Sequence, residues 1–299
     1  MKILAFDIGG TAVKYAVTDE SFDITHTDEF PSDAALGGAH IISAVCRKAA
    51  EFKDVDLIAV STAGQVDPET GVIIYANENI PGYTGFEVKK TLEEYTGKRT
   101  YVENDAVCAL IAEAVFGAGR GQEKFLCLTY GTGVGGCLFC DGEVYRGNAL
   151  NTGEIGHIIT HFGGLRCGCG GHGCYEAYAS CTALVKSCED ILGREINARK
   201  IFSPESFGIP AVKEKVDLWI DEIVFGIAGL IQVMNVNYFV LGGGVMNEDY
   251  VQDEVRNRVN AACREKFGEI TVKRAAFSNF AGVCGAAYSA YKKYTEGKE

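Results

Sequence analysis

Cys167-x-Cys169-x4-Cys174 places three thiols within eight residues, interleaved with glycines. Thiolates at this spacing share a tetrahedral Zn²⁺, and the glycines permit the tight wrapping it needs. A closed site requires a fourth ligand. His157, His161 and His172 are all near in sequence, so spacing alone leaves that choice open. Four protein ligands leave no coordination position for an activated water, so such a zinc would be structural and would not hydrolyse anything.

Three glycine-rich turns each follow an apolar strand-like run: Asp7-Ile8-Gly9-Gly10-Thr11, Gly131-Thr132-Gly133 and Gly242-Gly243-Gly244. Glycine lets the backbone approach closely and adopt positive φ, so successive N–H groups can converge on a phosphate. GTGVGG (131–136) also matches the dinucleotide-binding expression. However, it leads into CLFCDGEVY, a strand, an Asp141-Gly142 hairpin and another strand, whereas the dinucleotide turn must open a helix. One such turn alone would be no more than tight; three after apolar strands point to a nucleotide. Asp7, at a strand end beside the first turn, could hold Mg²⁺ directly or through water, or merely cap the turn. Asn104-Asp105 opens an alanine-rich helix. Both residue types cap helices well, and a carboxylate there could also accept a proton.

The elements that carry these residues alternate between strand and helix, which predicts an α/β architecture. Strands are expected at ILAFDI and AVKYAV around Gly9-Gly10, at Ile24–Phe30, LIAVST (57–62), Thr100–Val102, FLCLTY and NYFVLGGG (237–244). Helices are expected over Ile41–Phe52, Phe86–Tyr95, most of 181–235 and Ala281–Tyr294. ILAFDIGGTAVKYAV and FLCLTYGTGVGGCLF repeat one strand–turn–strand design, which suggests two related halves. At 299 residues, two domains are the default. Glycine content near 116–122 places a boundary there: 1–117 plus 281–299 against 118–280.

Composition is that of a globular chain, 47% hydrophobic and 23% charged. A net charge of −12 argues against a nucleic-acid backbone as partner. It leaves nucleotide binding open, because backbone N–H groups hold phosphates without cationic side chains. The opening MKILAFDI is too short for a signal or membrane segment, so a cytoplasmic location is expected. In that reducing setting Cys46, Cys108, Cys127 and Cys284 read as small buried hydrophobes.

In this order DIGGTAVK (7–14), Asn104-Asp105, GTGVGG (131–136), GEIGH (153–157), CGCGGHGC (167–174) and LGGG (241–244) resemble the ROK family of sugar kinases, over nearly the whole chain. The resemblance implies the two-domain actin-like ATPase fold (ribonuclease H-like, hexokinase-type), with ATP and sugar meeting in the interdomain cleft and the C-terminal helix returning to the first domain. It implies Asp105 as catalytic base. MgATP would be held by Asp7, Gly9, Gly10, Thr11, Lys14, Gly131, Thr132, Gly133, Gly242, Gly243 and Gly244. Sugar contacts would come from Gly64, Asn79, Asn104, Asp105, Glu154, His157 and Glu176. His157 would join Cys167, Cys169 and Cys174 on zinc, and the protein would be a homodimer.

The family also contains sugar-responsive repressors with a helix-turn-helix ahead of the core; with Ile3 already in the first strand, none is expected here. A binding-only sugar sensor would not need Asp105 and three phosphate turns, and a zinc ribbon would pair C-x2-C motifs. Glucose, N-acetylmannosamine, N-acetylglucosamine, fructose and β-glucosides are all family substrates. STAGQVDPETGVIIYANENIPGYTG (61–85) departs from the usual pattern: Ala63 stands for proline, and Ile80 and Tyr83 for leucine and tryptophan. Together with DIGGTA it resembles the β-glucoside kinase branch.

Overall fold

Strands β1 (Ile3–Ile8), β2 (Ala12–Thr18) and β4 (Leu57–Thr62) are almost wholly buried, as continuous apolar runs covered on both faces must be. The structure is a computed structural model and describes residues 1–147, 153–277 and 280–297. With β3 (Ile24–Pro31) and β7 (Arg99–Asn104), these strands form a five-stranded sheet in the order β3-β2-β1-β4-β7. The first three strands are antiparallel and the last two join in parallel. Between β4 and β7 come a small hairpin, β5 (Gln65–Asp67) and β6 (Val72–Tyr75), and helix α2 (Val88–Thr96); α1 (Gly38–Ala49) precedes β4 and α3 (Asp105–Val115) follows β7.

The second sheet repeats the first. Strands β8 (Lys124–Tyr130), β9 (Val134–Cys140), β10 (Glu143–Val144), β11 (Tyr238–Gly242) and β12 (Thr271–Arg274) lie in the order β10-β9-β8-β11-β12. Again the first three are antiparallel and the rest parallel. The internal repeat expected from the two strand–turn–strand segments is therefore a repeat of whole sheet topology. The hairpin at Asp141-Gly142 has φ of 56 and 80 at its two central residues, the geometry that two-residue hairpins favour.

Residues 181–235 are helical, but in pieces: α5 (Cys181–Leu192), α6 (Ala198–Ile201), α7 (Pro204–Phe207) and α8 (Pro210–Met234), after the short α4 (Glu176–Ala179). Gly193 ends α5 in the left-handed region. Pro204 and Pro210 each start a helix at its first turn, where the missing N–H costs nothing. Helix α9 (Asp249–Phe267) packs on α8 and β12, and α10 (Ala281–Glu296) closes the chain. Among the described residues no helix is long and apolar enough to cross a membrane.

The chain divides into two compact units, Met1–Val115 with Arg146–Asn151 and Asn279–Glu299, and Phe116–Tyr145 with Thr152–Ser278. Within the first unit, α10 lies on α3 and β4 through small buried residues, among them Gly282, Gly285, Ala286 and Ala290. A Cβ on Gly285 would overlap the backbone carbonyl of Cys108 on α3. Gly285→Ala therefore has to push α10 off α3. We expect it to lower stability by about 1–3 kcal/mol, the range for overpacked cores, read as a lower urea midpoint at unchanged slope.

Candidate active site

In the first unit, β7 delivers Asn104 and Asp105 at the point where α3 begins. The Asn104 Oδ1 accepts the Val107 N–H (3.1 Å), an N-cap bond, while its Nδ2 donates to the Gly64 carbonyl (2.8 Å) and to Asp105 Oδ1 (3.0 Å). Asp105 Oδ1 also accepts the Ala106 N–H (2.8 Å). The capping reading and the positioning reading of this pair thus hold together. Gly64 has φ of 97, and a Cβ there would lie 2.8 Å from the Tyr75 carbonyl, so only glycine supplies that acceptor. Asn79 sits in the exposed loop after β6, its N–H donating to Asn77 Oδ1 (3.1 Å).

Asp7 stands at the end of β1, opposite Lys14 in the β1–β2 ladder. Its Oδ1 accepts the Ser61 hydroxyl (2.7 Å). The start of α10 presses on it: any side chain at Gly282 would overlap the Asp7 carboxylate. Burial raises the Asp7 carboxyl above its usual range, against the pull of Ser61 and Lys14. Burial likewise pushes Asp105 up to about 6; the negative charge of Asp7 adds to this, and the Ala106 N–H and Asn104 amide oppose it. Asp105 keeps a solvent-accessible face although protein atoms crowd its carboxylate, which suits a group that must meet a ligand.

A second pair supports this junction and was not legible from motifs. Glu103, buried on β7, accepts both Arg146 guanidinium nitrogens (3.2 and 2.6 Å) and the Asn104 N–H (3.1 Å). This two-point ion pair steadies the backbone immediately before Asp105.

In the second unit, the turn Gly131-Thr132-Gly133 joins β8 to β9, with Gly131 N–H donating to the Gly133 carbonyl (2.9 Å). Of the glycines in the three phosphate-type turns only Gly243 has positive φ (108), so the expected reliance on positive φ holds there alone. Close approach of protein atoms requires glycine at two of these positions. A Cβ on Gly133 would overlap Glu176, and one on Gly243 would overlap the Tyr130 backbone, while at Gly10, Gly131 and Gly244 a Cβ would meet no protein atom within 4 Å. A cavity of about 450 Å³ adjoins two of these turns, bounded by Tyr130, Thr132, Gly244 and Glu248 and by Asn197, Arg199 and Phe202. That is the size range of a small-molecule site. Sequence reading missed the α6 residues, which carry no motif.

The cysteine loop converges as a group. His157, Cys167, Cys169 and Cys174 offer ligand atoms that all lie within 4.8 Å of one another. Cys169 and Cys174 sulfurs are 3.7 Å apart, and Cys167 Sγ is 3.6 Å from His157 Nδ1. Bond lengths near 2.3 Å to sulfur and 2.0–2.1 Å to nitrogen set tetrahedral edges of about 3.8 and 3.6 Å, so the donor set fits zinc. Burial and the neighbouring thiols push Cys174 up to about 12, and burial raises Cys167; a dication would offset that cost of forming thiolates. The Gly171 N–H instead holds Cys169 below its usual value. Of the other histidines, His161 stacks on Tyr178 with ring centroids 4.0 Å apart, and His172 is exposed. His157 Nε2 faces Glu154 Oε2 at 3.7 Å. The GEIGH segment reaches this position because Gly153 and Gly156 lie against β9 carbonyls, where side chains would overlap. Glu176 Oε2 accepts the Val134 N–H (2.9 Å), and its Oε1 is 3.8 Å from Cys167 Sγ.

The chain belongs to the ROK family, whose profile matches residues 3–293. A β-glucoside kinase of Listeria monocytogenes is 33% identical over 295 residues, covering 96% of this chain and 97% of that one. The crystal structure of a ROK hexokinase from Thermus thermophilus superposes with TM-score 0.85 at 31% identity, covering 99% and 100% of the two chains. A ROK family glucokinase from Streptomyces griseus, solved with glucose and AMPPNP, superposes with TM-score 0.82 at 29% identity, covering 98% and 100%. The fold is accordingly the two-domain actin-like ATPase fold of the ROK hexokinases.

The raised Asp105 carboxyl carries a stability consequence. Its folded value lies above the unfolded one, so its favourable contribution is complete below about pH 4 and is lost as pH rises through about 6. At pH 8 Asp105→Asn should therefore melt at the same temperature as the parent or higher, and at pH 4 it should confer no gain, as followed by thermal unfolding.

Proposed function

We propose that this chain is an ATP-dependent kinase that transfers the γ-phosphoryl group of MgATP to the 6-hydroxyl of glucose or a β-glucoside, with Asp105 as general base. The observation that carries this reading is the Asp105 carboxylate itself. It is fixed by the Ala106 N–H and Asn104 amide, crowded enough to titrate near pH 6, and still open to solvent on one face. A base of that strength is ionised at neutral pH and still accepts a proton readily in the transition state. Family membership and the Listeria β-glucoside kinase support the substrate class.

In this reading, the sugar oxygen attacks the γ-phosphorus in line as its proton passes to Asp105, the bond to the β-phosphate oxygen breaks, and ADP leaves. The proton then returns to water. Mg²⁺ supplies charge neutralisation on the phosphate oxygens, and Asp7, paired with Ser61 and facing Lys14, is the side chain to hold it through water. Backbone around Gly9, Gly10 and Thr11 and around Gly131, Thr132 and Gly133 cradles the phosphates. The Gly242–Gly244 turn and the cavity beside it take the adenosine. Asn104 and Asn79, the Gly64 turn, Glu154, His157 and Glu176 read the sugar hydroxyls.

His157, Cys167, Cys169 and Cys174 hold a structural zinc that sets the orientation of the imidazole and, through it, of Glu154. We assign the protein to the cytoplasm, supported by a cysteine-rich chain with no disulfide among the described residues. We assign it as a homodimer, supported by the exposed apolar residues Ile159, Phe162 and Leu165 and by the exposed Phe225 of α8, whose ring lies near His161 of the same loop.

A coupled ADP-release assay over glucose, cellobiose, fructose and the N-acetylhexosamines tests the activity, with glucose or cellobiose expected to give the highest kcat/KM. Asp105→Asn should lower kcat by about 10²–10⁴-fold, and near-parental turnover would refute the base assignment. The wild-type kcat/KM should fall on the acid side of about pH 6 as the base is protonated. For the metal, Cys169→Ser should purify with less than one zinc per chain and with a raised sugar KM. Unchanged sugar affinity in the zinc-free protein would remove the scaffold role.

A further inference from the structure

At the start of β7, the opposite end of the strand from Asn104 and Asp105, the first unit holds a cavity of about 510 Å³ bounded by that strand, by Lys89 and Glu93 of α2 and by the turn that follows α2. Its chemistry runs against the rest of the protein. In a chain of net charge −12, Lys89, Lys98 and Arg99 face it, with Glu93 as the one carboxylate among the lining residues. Glu93 is already committed to the backbone, its Oε1 accepting the Thr100 N–H (3.0 Å).

The three cations are held in place by neutral partners. The Lys89 ammonium donates to the Glu69 carbonyl (2.9 Å) and lies over the Tyr101 ring at 6.0 Å. The Lys98 ammonium donates to the Lys53 carbonyl (3.2 Å), and the Arg99 guanidinium lies 5.6 Å from the Tyr294 ring centroid. None of the three makes an ion pair among the described residues. Both lysines are half-buried and Arg99 is exposed. One carbonyl uses one of an ammonium's three donors, and the Arg99 guanidinium, which hydrogen-bonds the Tyr101 side chain, has five N–H donors in all.

We propose that this cavity is a second ligand site, distinct from the phosphate turns, which binds the phosphomonoester group of a small metabolite. A planar guanidinium fork with two ammonium groups suits a tetrahedral dianion better than a lone carboxylate. The volume exceeds what phosphate alone needs and falls in the range of small-molecule sites, with the half-buried Tyr101 ring as an apolar wall for the organic part. The proposal stands apart from the kinase reading, since no residue of the candidate active site takes part.

Equilibrium dialysis with radiolabelled glucose 6-phosphate, and separately with inorganic phosphate, tests it on the full-length protein with saturating AMPPNP and on the Lys98→Gln/Arg99→Gln variant. Saturable binding by the parent that weakens at least roughly tenfold in the variant is the expected result. Tighter binding of the sugar phosphate than of inorganic phosphate would identify the organic part as recognised; equal binding would overturn that half and leave an anion site. Equal binding by parent and variant, or displacement by chloride as effective as by sulfate at matched ionic strength, would mean an adventitious ion only and overturn the proposal. Should the double variant fail to fold, Lys89→Gln serves in its place, with circular dichroism and phosphate-free turnover as the controls for an intact protein.

Discussion

One carboxylate, Glu176, fastens the phosphate-type turn to the cysteine loop, and the arrangement of the second unit follows from it. Its Oε2 takes the Val134 N–H at the start of β9, and Gly133 must lack a side chain for the carboxylate to come so close. Around that bond the contacts multiply. Tyr175 meets Tyr130 hydroxyl to hydroxyl at 2.9 Å, the Cys181 N–H donates to the Gly131 carbonyl (2.9 Å), and the Thr182 hydroxyl donates to the Thr132 carbonyl (2.8 Å). Each turn residue is thereby pinned to the segment that immediately follows the last cysteine of the loop. Connected hydrogen bonds of this kind, buried at the Tyr130–Tyr175 pair, tie the order of the turn to the order of the segment after the cysteine loop.

The first unit is organised around the opposite problem, two carboxylates held with little positive charge. Asp7 has Lys14 across the ladder and a hydroxyl from Ser61; Asp105 has only an amide and a backbone N–H. The resulting upward shift of Asp105 works against stability at neutral pH and in favour of basicity, a trade that marks working sites generally. A cation is paired two residues before Asp105 in sequence. Arg146 pairs with Glu103, which steadies the backbone before Asp105 without neutralising its carboxylate.

Much of this was readable in the residues. Cysteine spacing predicted a converged thiol cluster, and the glycine turns predicted tight junctions at strand ends, because both depend on neighbours in sequence. What failed to show did so for physical reasons. Selection of His157 over His161 and His172 depends on Gly153 and Gly156 packing on β9, a contact set by tertiary folding. The Arg146–Glu103 pair joins residues 43 apart, and no local pattern announces it. Positive φ was expected of the turns but occurs only at Gly243, and close packing demands glycine only at Gly133 and Gly243. The helical stretch 181–235 breaks at Gly193, Pro204 and Pro210, signals that were present but outweighed by the apolar periodicity around them. Arg199 of α6 and its flanking residues Asn197 and Phe202 border a cavity because of where a four-residue helix is carried, which composition does not encode.

Gly282 gives the geometry around Asp7 a temporal dimension. The carboxylate at residue 7 is seated against a helix that begins at residue 281, so a strand made early is completed by a helix made much later. A ribosome adds roughly 5–20 residues per second, and throughout that interval β1 lacks the surface it packs against. The second unit, from Phe116 onward, has most of its chain contiguous and can collapse on the nascent polypeptide well before release. The surface against which Asp7 packs is therefore available only once α10 has been made. A truncated translation product lacking α10 would carry both Asp7 and Asp105 and yet lack the wall that positions the first of them.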